Sequence, residues 1–141
     1  MPIPNPEPGL VISYAYLWHY EHQAGQDEGR KDRPAVIVLT AERHEDDETF
    51  VIVLPITHSA PATAGEAVEI PPAIKRHLGL DDTPSWIVIA EGNEFVWPGY
   101  DLRKRPASDS YDYGFLPPRF FNQVRDAFVA LAGRSLITGR E

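Results

Sequence analysis

The 141 residues include no cysteine, 43% hydrophobic side chains and a net charge of −8. The hydrophobic share supports one packed core and excludes a disordered chain. The missing cysteines exclude disulfides, thiolate metal sites and cysteine nucleophiles, and they suit a reducing compartment.

In chain order, Pro2, Pro4, Pro6 and Pro8 mark an extended lead-in over 1–8, with none of the basic-then-apolar pattern of a signal peptide. Alternation over Val11 to Trp18 predicts a strand, with Ile12, Tyr14, Tyr16 and Trp18 on one face. His19 to Asp32 is polar and reads as a long loop. Pro34 to Thr40 is a second strand, Ala41 to Glu48 an acidic turn, and Thr49 to Ile56 a third, central strand. His58 to Gly65 reads as loop, Glu66 to Ile70 as a short strand, and Pro72 to Leu78 as one or two helical turns stopped by Gly79. Ser85 to Ala90 is a buried strand, and Asn93 to Trp97 adds a short one. Tyr100 to Tyr113 reads as loop. Pro117 to Ala132 is the long helix, with Phe121, Val124, Phe128 and Leu131 on one face, and 134–141 is a tail. The apolar runs 35–39 and 51–56 are too short to cross a bilayer. One mainly β domain over 1–141 follows: a small, partly open barrel of about five to seven strands with a C-terminal helix.

Charge is uneven along the chain. Residues 1–48 carry ten acids against four bases, 49–98 six against two, and 99–141 five against seven. Phosphate contacts need Lys and Arg, so any surface for a polyanion must be local. Two loops offer one: Arg30, Lys31 and Arg33, and Arg103, Lys104 and Arg105.

Arg33 stands where the first long loop enters the second strand. Its forked guanidinium suits phosphate oxygens and the spread charge of a phosphoryl transition state. The blander account is a salt bridge with Asp32 or Glu28, or a solvated loop arginine. Thr57, at the end of the third strand, can hold a phosphate oxygen or a reacting hydroxyl, or simply cap a turn. His58 and His19 are candidate acid–base groups, as is Glu28, and a structural role is open for each. No pair of histidines has the spacing of a metal site, and no metal or other cofactor is expected. The three tryptophans and several tyrosines serve either as core or as platforms for unstacked bases.

Arg33-Pro34-Ala35-Val36-Ile37-Val38 and Val51-Ile52-Val53-Leu54-Pro55-Ile56-Thr57 together resemble the paired strand signatures of the MazF/PemK toxin family. The opening step Gly9-Leu10-Val11-Ile12 and the closing step Gly114-Phe115-Leu116 before the helix are similar in order and spacing. The resemblance implies an SH3-like barrel, a homodimer and the toxin of a bacterial type II toxin–antitoxin pair, acting in the cytoplasm. The implied activity is metal-independent cleavage of single-stranded RNA, mostly messenger, by attack of the 2′-hydroxyl on the adjacent phosphorus. The family's arginine and threonine carry over to Arg33 and Thr57, with Arg30, Lys31 and Arg103 as RNA-binding loop residues and a cognate antitoxin as partner. Two departures stand out. The place after Trp86–Ala90, basic in many members, reads Glu91-Gly92-Asn93-Glu94, and Asp81 to Pro106 is longer than in compact members. They support an alternative: a weak or inactive barrel of the same fold that binds protein or nucleic acid.

Overall fold

The structure, a computed structural model, describes residues 3–25, 31–43, 45–131 and 134–140. Among these residues the elements run β1 Leu10–Tyr14, α1 His19–Gln23, β2 Arg33–Arg43, β3 Glu48–Thr57, β4 Ala67–Glu69, α2 Pro72–Leu78, β5 Trp86–Val88, β6 Glu91–Val96, β7 Leu102–Arg103, β8 Asp112–Phe115, α3 Pro118–Ala130 and β9 Leu136–Gly139.

The centre is the antiparallel β2–β3 hairpin. Its register pairs Val36 with Leu54 and Ala35 with Pro55, and it slips once between Ile37 and Leu39. β1 lies along the other side of β2. β3 serves two neighbours in turn: Phe50 to Val53 pair with β6, and Ile56 and Thr57 pair with β5. β4 continues beyond β5, while β7 and β8 both pair with β1. The result is a mainly β, barrel-like fold. Its pairs are antiparallel except β6 with β9, which run parallel.

Both faces of the central strands are covered, so each strand sorts its side chains by parity. Val36 and Val38 of β2 and Leu54 and Ile56 of β3 pack with Leu78 of α2, Ile87 of β5 and Phe120 and Val124 of α3. The intervening Ala35, Ile37, Val51 and Val53 pack on the other face with Ile12, Tyr14, Tyr16 and Phe95. This second core is aromatic. Tyr14 and Phe95 stack at 4.8 Å between ring centres, and Tyr16 meets Trp18 edge-on at 5.1 Å.

The barrel expectation is borne out, with more strands than the expected five to seven. β7 and β8 lie within or at the end of the stretch read as loop. They are short and polar, and only pairing with β1 makes them strands. The tail read over 134–141 contains β9, and Arg140 beyond it reaches into the molecule. Its guanidinium meets the Asp101 carboxylate at 2.8 Å and donates to Ala15 O and the Asn93 Oδ1, both at 3.0 Å. The loop expected from His19 begins with a helical turn, α1, because the Glu21 carboxylate turns back to accept the Trp18 N–H at 3.0 Å. In α3 the side chains buried deepest are Phe120 and Val124, with Phe121, Phe128 and Leu131 flanking them.

Candidate active site

Arg33 and Thr57 stand two residues beyond the Ala35–Pro55 pair, at the open end of the β2–β3 hairpin. Both line a groove of about 610 Å³, along with Trp18, Tyr20, Glu66 and Glu91. A second cavity of about 230 Å³ shares Lys31, Arg33, Thr57 and Ser59 with the groove and adds His58 and Asp81. The two meet at Arg33 and Thr57.

Arg33 is half-buried. Its guanidinium carbon lies 5.0 Å from the centre of the Trp18 ring, and its Nε is buried without an acceptor among the described residues. Burial lowers the guanidinium's pKa from its ordinary value, opposed by Glu21, Tyr20 and Tyr16. A cation taken partly out of water in this way gains from an anion in the groove more than a solvated arginine would. The alternative reading of Arg33 as partner of Asp32 finds no contact: the Asp32 carboxylate faces Arg103 at 3.7 Å. The Thr57 Oγ1 accepts the Ser59 N–H at 3.2 Å, which caps the turn and leaves the hydroxyl proton to be donated into the groove.

The other sequence candidates divide. Lys31, exposed, lines both cavities. His58 is held by Asp81, with Nε2 at 2.9 Å from the carboxylate. Lys75 also holds Asp81 at 2.8 Å, and this lysine is buried and donates besides to Ser85 Oγ at 2.7 Å and to the Thr83 carbonyl. Lys75 and then His58 pull the Asp81 carboxyl below its usual range, against the effect of desolvation. His19 donates its backbone N–H to Glu91 Oε1 at 3.0 Å. Arg103 turns to the Tyr100 carbonyl at 2.6 Å and to Asp32, and lines neither cavity. Glu28 and Arg30 lie outside the described residues.

Glu91 is a residue that the sequence pattern does not single out. It begins β6 and borders the groove, and its Oε1 accepts from the Tyr16 hydroxyl at 2.9 Å as well as from His19 N–H. Burial raises its pKa above the usual carboxylate value, against those two hydrogen bonds. A half-buried carboxyl so poised can exchange a proton closer to neutrality than a surface glutamate. The available signal is a carboxylate directly after an apolar strand. Glu21, fully buried on α1, and Tyr20, 62% exposed at the groove, are hidden in the sequence because the helix that carries them reads as loop. Among the described residues no group of three or more His, Asp or Glu side chains is arranged to hold a metal ion, and no helix is long and apolar enough to cross a membrane.

A family model described as PemK-like, MazF-like toxin of type II toxin–antitoxin system matches residues 15–91, more than half of the 141. The matched span contains Arg33, Thr57 and Glu91 and ends at the start of β6. No curated protein and no solved structure matches the chain.

Proposed function

The chain belongs to the PemK-like, MazF-like toxin family of type II toxin–antitoxin systems, and on that premise we propose that it is an endoribonuclease that cleaves single-stranded RNA, chiefly messenger, without a metal ion. The observation that carries the reading is the meeting of Arg33 and Thr57 in one groove, with the Arg33 Nε buried and without an acceptor among the described residues.

In this reading the 2′-oxygen of a ribose attacks the neighbouring phosphorus, the bond to the 5′-oxygen breaks, and a 2′,3′-cyclic phosphate and a 5′-hydroxyl remain. The 2′-hydroxyl gives up one proton and the 5′-oxygen takes one. Arg33 stabilises the charge that builds on the non-bridging oxygens, and Thr57 donates to one of them or orients the attacking hydroxyl. Glu91 is the group best placed to move a proton, because burial has already raised its pKa. His58 is engaged with Asp81 and serves the site less directly. Tyr20 and Trp18 offer aromatic faces to an unstacked base.

A homodimer, a cognate antitoxin and the bacterial cytoplasm complete the reading. The exposed apolar side chains Val129 of α3 and Leu136 and Ile137 of β9 support a partner over that end of the molecule.

The second reading, a binding module without activity, is favoured by one observation: Glu21, Glu66 and Glu91 all line the groove against Lys31 and Arg33. Incubation of the protein with a long single-stranded RNA in EDTA separates the two. The enzyme reading expects discrete fragments with cyclic phosphate ends, made slower by about 10²–10³-fold in Arg33→Ala. Intact RNA across many sequences, from protein shown to be folded, would overturn it.

A further inference from the structure

The two basic loops of the sequence, some seventy positions apart, meet in space. A third cavity of about 400 Å³ adjoins the first two and shares Arg33 with both. Its far side is formed by Lys104, Arg105 and Tyr113. The Arg105 guanidinium lies over the Tyr113 ring at 4.4 Å, a packing that fixes the cation in place.

The electrostatic character of this cavity differs from that of the groove. Its two carboxylates, Asp32 and Asp81, are each matched by a cation that does not line it: Asp32 by Arg103, and Asp81 by the buried Lys75. Three cations, Arg33, Lys104 and Arg105, therefore face the cavity with its acids already balanced from outside. Lys104 also stands 3.8 Å from Asp109, a pair like that of Arg103 with Asp32 but more exposed, so that solvent screens it more. The groove on the other side of Arg33 carries three carboxylates against two bases. A chain that is acidic overall thus keeps one basic arm and one acidic, aromatic arm, joined at Arg33.

We propose that the Lys104–Arg105–Tyr113 cavity is a phosphate-binding subsite for the nucleotide flanking the one held at Arg33 and Thr57, so that a single strand runs from the Trp18–Tyr20 groove past Arg33 into the basic arm. The inference rests on the RNA reading for the nature of the strand. Lys104, Arg105 and Tyr113 lie outside the span 15–91 matched by the family model, so the subsite belongs to this chain's own later segment. The arrangement also answers the acidity of the chain: the strand's charge is met in one place, while its bases lie against aromatic rings and acceptors.

The test is binding of a labelled single-stranded oligoribonucleotide, 2′-O-methylated throughout so that it cannot be cleaved, followed by anisotropy in EDTA over a range of salt. The variants are Lys104→Glu and Arg105→Gln. Lys104 is exposed, so Lys104→Glu perturbs the charge and leaves the fold intact even where Arg105→Gln disturbs the packing on Tyr113. The expected result is a Kd raised about tenfold at ~0.1 M salt and a salt slope smaller by about 0.7 for each phosphate that the variant no longer neutralises. Unchanged Kd and slope in the folded variants would overturn the subsite, as would an acidic peptide binding there in place of the RNA. Wild-type protein that cleaves RNA while the variants bind normally removes the subsite and leaves the ribonuclease reading. Variant-sensitive binding without any cleavage by the wild type does the reverse.

Discussion

Gly92 is the second residue of β6, paired with Ile137 of β9 and packed against β3 on the other side. A Cβ at this position would lie 2.9 Å from the Val53 carbonyl oxygen and 3.3 Å from side-chain carbons of both Ile52 and Leu54. The closest of these atoms is backbone in the middle of the sheet and cannot swing aside, so Gly92→Ala must push β6 off β3. Overpacking of this kind costs about 1–3 kcal/mol, and a value near 2 kcal/mol lowers the Tm of a chain this size by roughly 6–10 °C. Gly139 in β9 provides the control, since a Cβ there meets nothing within 4 Å. Gly139→Ala should leave stability unchanged or raise it by about 0.4–1 kcal/mol, through the unfolded chain's reduced freedom. Urea unfolding of the two variants beside the wild type measures the difference. A Gly92→Ala protein within about 0.5 kcal/mol of wild type, or a Gly139→Ala protein destabilised as much as Gly92→Ala, would refute the steric argument.

Arg140→Ala removes the guanidinium from its buried contact with Asp101 and from two further acceptors. It should destabilise by about 3 kcal/mol, read from the same urea curves. Glu91→Gln preserves acceptors for Tyr16 and His19 while abolishing the charge. Because burial raises the pKa of Glu91 in the folded state, the wild type binds that proton more tightly folded than unfolded. Its stability therefore falls as pH rises from the ordinary glutamate value through the raised one. Glu91→Gln should lack this decline and be the more stable protein at neutral pH. Thermal melts between pH 4 and 8 check it, and parallel curves for the two proteins would count against the buried charge.

Where period two met long apolar runs, the fold was legible in the sequence. β2 and β3 stand where Pro34 to Thr40 and Thr49 to Ile56 predicted them, and the neighbouring ends that hold Arg33 and Thr57 follow from consecutive strands pairing. β7, β8 and β9 were not legible. Leu102-Arg103 and Asp112 to Phe115, two and four residues long, are too short for a period to stand out, and β1 offers them an edge to pair with. Long-range pairing of that kind leaves no local trace. That Arg33, Thr57 and Lys31 would lie close together was legible too, since their positions are tied to strand ends and all three line one groove. Glu91 escaped because its significance is depth: identical in sequence to a surface glutamate, it differs only in the Tyr16 hydroxyl and His19 amide brought to it from 75 and 72 residues away. Arg103 lies outside that groove, held by its neighbours Asp32 and Tyr100.

The parallel pairing of β9 with β6 sets a timetable for synthesis. β6 is complete once Val96 has been made, but the strand that covers its outer edge ends at Gly139, 43 positions later. At about 5–20 residues per second β9 is made roughly 2–9 s after β6. In a chain that lacks β9 the unpaired amides and carbonyls of Glu91 to Glu94 form a template for strands of other chains. Arg140, immediately after β9, closes over Tyr14 and Asp101. Glu91 thus gains its neighbour on the β9 side only once Leu136 has been translated, and interruption of translation before Leu136 leaves the strand that carries Glu91 as the exposed edge.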